Sequence, residues 1–129
     1  MKKLFTLVML VLVTSTLAAQ NSTTRFFFAY QYGNLTVDGT SGGVPFPAAK
    51  VDVVATPMNS AQLVTFTVAC ASGTTCVVRF TLDGTAPTTT VGMRAFYGDT
   101  VSIYSHTSIV AFRAIRESDS AVLNVTYFR

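Results

Sequence analysis

Few side chains in this sequence are suited to catalysis or to metal binding. The single histidine, His106, lies in the polar stretch Ser105 to Ser108, which predicts a surface loop. We identify no nucleophile elbow, Walker loop, His-Glu-x-x-His motif or pair of close carboxylates. Two cysteines and one distant histidine cannot complete the four ligands of a zinc site. The sequence therefore predicts no enzymatic activity, no metal and no cofactor.

The acidic residues are placed for turns rather than for acid–base chemistry. Asp38, Asp83 and Asp99 each adjoin a glycine, and an aspartate in a turn accepts hydrogen bonds from nearby backbone N–H groups. The whole chain has a net charge of +3, of which Lys2 and Lys3 supply two. The other basic residues form no run, so the sequence does not predict a nucleic-acid partner.

The N-terminus has the three parts of a secretory signal. Lys2 and Lys3 precede an apolar run from Leu4 to Leu17, and Ala18 and Ala19 offer small residues for cleavage. One alternative is an uncut anchor, which would be the only predicted contact with a membrane. The other is a helix or strand that packs into the fold. We divide the chain into an N-terminal hydrophobic segment (1–19), an aromatic strand with a Gly- and Pro-rich loop (20–49) and a β-sandwich core (50–129).

The rest of the chain is typical of β-structure. The sequence contains 20 Thr and 17 Val among 129 residues, and both types favour strands. Short alternating runs separated by turns predict a single all-β domain, an antiparallel β-sandwich of seven to eight strands, immunoglobulin-like or jelly-roll-like, with no helix. The predicted strands are Arg25–Tyr32, Val51–Ala55, Gln62–Ala71, Cys76–Leu82, Thr100–Tyr104, Ile109–Arg116 and Ala121–Phe128, with Leu35–Val37 as a short further run.

The two cysteines are placed for a local disulfide. Cys70 and Cys76 would face each other across a hairpin with a five-residue loop. Paired positions in such a ladder bring Cβ atoms close to the distance that a disulfide needs. The alternative is two reduced, buried cysteines that pack as small apolar groups.

An aromatic run follows the polar bridge after the N-terminal segment. Three consecutive phenylalanines cannot all face one core in a strand. The run therefore predicts either a strand covered on both faces or a surface, centred on Phe27, that meets a neighbouring subunit or a sugar. The candidate interface residues are Phe26, Phe27, Phe28, Tyr30 and Tyr32.

Four stretches carry a resemblance to known families. Arg79 to Thr88 resembles the Tyr-Thr-x-Asp-Gly-(Ser/Thr)-x-Pro-Thr strand-turn of small immunoglobulin-like domains, including a family appended to bacterial chitobiase and hexosaminidase-type enzymes. Phe80 stands where that family has Tyr, and the resemblance implies a turn at Asp83 and Gly84 with an extended exit at Pro87. Gly98 to Val101, Val110 to Ile115 and Leu123 to Phe128 are similar to small phage virion proteins of the head-decoration or fibre type.

Two functions follow as expectations. The first is a non-catalytic structural subunit of a phage virion, which would form a homo-oligomer or a larger protein assembly. The second is a secreted or surface-attached accessory module that binds glycan or a protein partner. The expected location is the virion or an exported compartment, and the chain is not expected to be a soluble cytoplasmic enzyme.

Overall fold

The computed structural model describes residues 26–51 and 60–129. The predicted signal segment, 1–19, lies outside the described residues. So does all of the predicted strand Val51–Ala55 except Val51 itself, which closes a one-turn helix, α1 (Ala48–Val51).

Within the described residues, seven strands form two antiparallel sheets, which confirms the predicted all-β sandwich. One sheet has four strands in the order β1-β7-β2-β5, and the other has three in the order β4-β3-β6. The strands are β1 (Ala29–Val37), β2 (Leu63–Cys70), β3 (Val77–Thr81), β4 (Met93–Phe96), β5 (Thr100–Tyr104), β6 (Arg113–Arg116) and β7 (Ala121–Phe128).

The strand order separates the two predicted sandwich types. An immunoglobulin-type sheet places the first two strands side by side, whereas here β7 lies between β1 and β2. This is the order of a jelly roll, a double-sheet fold of eight strands. The position of the remaining strand is held by a single antiparallel bridge between Val44 and Ala114, beside β6.

The predicted alternation of β2 and β7 is confirmed. Val64, Phe66 and Val68 of β2 are buried, and the threonines between them are half-buried on the opposite face. Leu123 and Val125 of β7 lie directly opposite Val68 and Phe66. Residues that pair across antiparallel strands share a face, so one continuous apolar layer covers the inner side of the four-stranded sheet.

An aromatic cluster joins the two sheets. Phe66 of β2 meets Phe80 of β3 edge to face, with ring centroids 5.5 Å apart. Phe112, which precedes β6, lies 5.6 Å from Phe66 and stacks on Phe46 of the Pro-rich loop at 4.0 Å. Tyr127 of β7 closes the cluster at 5.9 Å from Phe46. Burial raises the pKa of the Tyr127 hydroxyl to about 12, with a further contribution from Tyr30.

The predicted absence of helices and the predicted strand Ile109–Arg116 are wrong. His106 to Ala111 forms a second helix, α2, and β6 begins only at Arg113. Ile109 and Phe112 are both fully buried, and their separation by three positions matches helical rather than strand periodicity. Ser105, with φ of 96°, turns the chain into this helix.

Two strand boundaries also differ from the prediction. The strand predicted at Arg25–Tyr32 begins instead at Ala29 and runs on to Val37, where it takes in the predicted run Leu35–Val37, because β1 pairs with β7 along its whole length. β4 (Met93–Phe96) lies in a stretch for which no strand was predicted. It has four residues and its apolar side chains are largely exposed, so it carries little of the alternation that marks a half-buried strand.

We expect buried and exposed phenylalanines to contribute differently to the free energy of unfolding. Phe112→Ala removes a fully buried ring from the aromatic cluster and should lower the free energy of unfolding by about 3–5 kcal/mol. The matched control is Phe96→Ala, since Phe96 is 47% exposed and contacts the Arg94 guanidinium. Its cost should stay below about 1 kcal/mol. Urea unfolding of both variants checks this, and equal losses would contradict the assigned core.

Candidate functional site

The aromatic run contains three strongly exposed side chains. Phe26, Phe28 and Tyr32 are 76%, 70% and 69% exposed, respectively. Phe27, on which the predicted surface was centred, is half-buried. The backbone of Phe28 pairs with that of Arg129 through hydrogen bonds of 3.1 and 3.2 Å, so Phe28 extends the ladder of the edge strand β1. The strongly exposed aromatic residues are therefore Phe26, Phe28 and Tyr32. Phe28 lies opposite Arg129 and Tyr32 opposite Thr126, so Phe28 and Tyr32 face opposite sides of the sheet.

Tyr30 has a different role from its neighbours. It packs against the core, and its hydroxyl donates to the Lys50 carbonyl at 2.7 Å. The Arg129 guanidinium lies 5.2 Å from its ring centroid, a distance at which a cation is attracted to the ring. The register of β1 against β7 shifts between Ala29 and Gln31. Such a bulge re-aims side chains, which explains why Tyr30 packs inward while Tyr32 is exposed.

The predicted turn forms at Asp83 and Gly84. The Asp83 carboxylate accepts from the Thr85 N–H at 3.0 Å, and Gly84 has φ of +83°. The hydrogen bond from Thr85 holds the pKa of Asp83 below its usual value. Thr81, at the end of β3, donates its hydroxyl to the Thr85 carbonyl. Each of these contacts fixes the turn itself, so the structure gives Asp83 and Gly84 a conformational role.

Pro87 fixes the exit of this turn against the Gly-rich loop. Pro87 is buried. A Cβ built on Gly43 would lie 3.0 Å from its Cδ and 3.1 Å from the Cβ of Arg113. Gly43 has φ of +76°, and its backbone N–H donates to Thr40 at 3.0 Å. The turn, the loop before α1 and the start of β6 therefore meet at one point.

The Gly-rich loop contains the residue spacing of a nucleophile elbow, contrary to the absence inferred from the sequence. Gly39, Ser41 and Gly43 have the Gly-x-Ser-x-Gly pattern of a nucleophile elbow. An elbow places its serine on a sharp turn between a strand and a helix. Here Ser41 is exposed in a loop that continues to Pro47 before α1 begins. The spacing is present, but the backbone that would activate the serine is not.

The predicted disulfide is present, but its assumed hairpin is wrong. Cys70 and Cys76 are bonded, with Cα atoms 5.5 Å apart. Cys70 ends β2 in the four-stranded sheet, whereas Cys76 precedes β3 in the three-stranded sheet. The bond therefore links the two sheets at one end of the sandwich.

An ion cluster covers the outer side of the three-stranded sheet. Glu117 accepts from Arg79 at 2.7 Å and from Arg94 at 3.0 and 2.8 Å. The guanidinium of Arg94 also lies 4.9 Å from the ring centroid of Phe96. No local pattern predicts this cluster, because Glu117 is far from both arginines along the chain. It connects β3, β4 and the residue after β6.

A group of exposed apolar side chains in and beside β4 was also missed. They are Val91, Met93, Phe96 and Tyr97, each about half-exposed, and the alternation of the strand places Met93 and Phe96 on opposite faces. A shallow depression of about 380 Å³ adjoins β4, between Phe80, Leu82 and Met93. The signal was available in the sequence as a short apolar stretch, but without alternation it could not be assigned to a surface.

His106 occupies the first turn of α2 rather than a surface loop. Its ring is half-buried, and Nδ1 lies 3.1 Å from the Ala61 carbonyl oxygen. Within residues 26–51 and 60–129 no group of three or more His, Cys, Asp and Glu side chains is arranged to hold a metal ion. No helix in these described ranges is long and apolar enough to span a membrane.

Comparison of the chain with protein-family models, with curated protein sequences and with solved structures gives no match. The candidate site therefore rests on the geometry described above. The described residues provide exposed aromatic side chains (Phe26, Phe28 and Tyr32) and a turn whose exit, at Pro87, packs against Gly43.

Two neighbouring glycines should respond differently to the same substitution. Gly42 and Gly43 both have positive φ, so alanine at either position should cost about 1 kcal/mol from backbone strain. A Cβ at Gly42 meets nothing within 4 Å, whereas a Cβ at Gly43 meets Pro87 and Arg113. Gly43→Ala should therefore cost a further 1–3 kcal/mol, roughly, from overpacking. Chemical denaturation of both variants measures the difference, and equal costs would contradict the contact with Pro87.

Removal of the disulfide should weaken the fold without changing it. The bond closes a loop from Cys70 to Cys76, and loop-closure entropy for so short a loop gives about 2 kcal/mol. Cys70→Ala/Cys76→Ala should keep the β-type circular dichroism spectrum and lose about that much unfolding free energy. Dithiothreitol should lower the stability of the parent protein and leave the double variant unchanged. A parent protein insensitive to reductant, with two titratable thiols, would rule out the bond.

Proposed function

We propose that this chain is a non-catalytic structural subunit of a larger protein assembly, of the kind that small phage virion proteins of the head-decoration or fibre type represent. The observation that carries the proposal is the strong exposure of three aromatic rings, of which Phe26 and Phe28 lie just before the edge strand β1 and Tyr32 lies within it. Exposed apolar side chains beyond the scattered few of a normal surface mark protein–protein contact, and aromatic residues are enriched in such contacts.

The position of these residues supports an assembly role. β1 is the outermost strand of its sheet, and an unprotected edge is open to pairing with another chain. Natural proteins protect exposed edges with charged side chains, prolines or bulges. The stretch Phe26–Tyr32 itself contains no charge and no proline, although a bulge lies at Ala29–Gln31 and the Lys50 ammonium donates to the Tyr32 carbonyl at 3.4 Å. The part of the edge before the bulge, with Phe26 and Phe28, is therefore the part most open to a partner. Burial of two or three such rings would supply much of the apolar contact that a stable interface needs.

The architecture adds support by analogy alone. Double-sheet jelly rolls occur among viral capsid proteins and among lectins. A fold does not determine a function, so this likeness is compatible with both expected functions. The exposed edge favours the first.

A secreted or surface-attached accessory module is the second candidate, and the disulfide favours it. Disulfides persist in oxidising compartments and are rare in the cytosol. Such a module would bind glycan or a protein partner through the same aromatic rings, because ring faces stack on sugars as well as on side chains. The turn at Asp83 to Pro87 is compatible with this reading through its resemblance to accessory domains.

We expect loss of the exposed rings to reduce assembly more than stability. Phe26→Ser/Phe28→Ser should shift the native protein from large species to small ones in size-exclusion chromatography with light scattering. Its melting temperature should change by no more than a few degrees, since both rings are mostly exposed. The matched control, Tyr97→Ser, removes a half-exposed ring beside β4 and should leave assembly unchanged.

The two candidate functions predict different native states. Intact-mass spectrometry of the native protein would show whether residues 1–18 remain. A monomer that lacks these residues would contradict the assembly proposal and favour the accessory module. A large symmetric species would contradict the module.

A further inference from the structure

The outer face of the four-stranded sheet has an unusual composition. Pairing positions share a face, so the residues opposite the buried layer can be read from the register. They are Tyr32, Asn34 and Thr36 of β1, Val122, Asn124, Thr126 and Phe128 of β7, Leu63, Thr65, Thr67 and Ala69 of β2, and Thr100, Ser102 and Tyr104 of β5. None of them is charged. We call this set the outer sheet face.

A sheet face that remains in water normally carries charge. Charged residues supply about a quarter to a third of a well-behaved protein surface, and the outer side of the three-stranded sheet has Arg79, Arg94 and Glu117. Depletion of charge together with aromatic enrichment is the composition of the centre of a protein interface. The outer sheet face has both properties, because Tyr32 and Tyr104 are 69% and 64% exposed on its two edge strands.

The polar side chains of the outer sheet face are neutral and can be covered by a partner at a lower desolvation cost than charged side chains. The hydroxyls of Thr67 and Thr100 lie 2.9 Å apart and bond each other across the ladder. Threonine, serine and asparagine are neutral, so bringing them together with a similar surface does not bury a charge. The face is thus suited to contact with another neutral, flat surface.

We propose that two copies of this chain associate through the outer sheet face, sheet against sheet around a two-fold axis. The inference rests on the proposed function, for which it names the partner and the surface. A two-fold contact joins the same patch on both copies, and an uncharged patch meets its own copy without like-charge repulsion.

The size of the face fits such a contact. Four strands at about 4.8 Å spacing and about eight residues at about 3.3 Å each span roughly 19 by 26 Å. This is roughly 500 Å² on each copy, or about 1,000 Å² for the pair, which reaches the lower limit of a specific interface. Tyr32 and Tyr104, at opposite rims, form part of this area.

The test places one positive charge in the middle of the face. Asn124 lies on the inner strand β7 and is exposed. In sedimentation equilibrium of the full chain, Asn124→Lys should raise the dissociation constant of the dimer at least tenfold. Asn34→Lys, directly opposite on β1, should do the same and serves if the first variant melts early. Thr89→Lys, an exposed position between β3 and β4, is the matched control and should leave association unchanged.

A charge-swap experiment identifies the partner as a second copy. Asn124→Lys and Asn124→Asp should each be monomeric alone, and an equimolar mixture should recover the dimer. Recovery supports the proposal, because neither a glycan nor an unrelated protein would produce it.

The failures can be told apart. Association that persists unchanged in Asn124→Lys and Asn34→Lys, but is lost in Phe26→Ser/Phe28→Ser, would overturn this interface and leave the proposed function standing. A parent chain that stays monomeric at high concentration would overturn both. Glycan binding by that monomer, lost in Asn124→Lys, would assign the outer sheet face to a sugar instead.

Discussion

The contact between Phe66 and Phe80 is the constraint on which the rest of the structure depends. Each ring comes from a different sheet, and their edge-to-face packing fixes the two sheets at one separation. Phe46 and Phe112, which lie outside the strands, fill the remaining space around Phe66. Because aromatic pairs hold a preferred geometry as well as burying area, two short sheets and an irregular loop can share one core. Without this cluster, neither the Pro-rich loop nor α2 would have a surface against which to fold.

The periphery is fixed by contacts of another kind. The disulfide between Cys70 and Cys76 joins the sheets where the chain passes from β2 to β3. Elsewhere, Pro87 packs against Gly43 beside Arg113, and Glu117 bridges Arg79 and Arg94. The last two contacts join segments that are distant in sequence, whereas the disulfide closes a short loop. Surface ion pairs contribute little alone, so the aromatic cluster supplies most of the stability while these contacts set the local conformation.

The sequence predicted those parts of the fold whose signals are local. The alternation of β2 and β7 is strict, and the turn at Asp83-Gly84 follows from the chemistry of its two residues. The order of the strands depends on which rings meet in the core, so no local pattern contains it. The helix at His106–Ala111 was missed because its valine and isoleucine have strand propensity, whereas its conformation follows from the burial of Ile109 and Phe112. The aromatic run was recognised, but a bulge that sequence does not reveal decided which of its rings are exposed.

The two sides of the sandwich differ in a way that bears on function. The outer side of the three-stranded sheet carries two arginines that share one glutamate, and charged side chains of this kind are typical of a solvated surface. The outer sheet face of the other sheet carries only neutral side chains, although nothing in the packing of the core requires this. Inward positions fix the fold, while outward positions are free to vary with what they contact. Since both sheets are made by one chain in one solvent, the difference between their outer sides is best explained by a difference in what covers them.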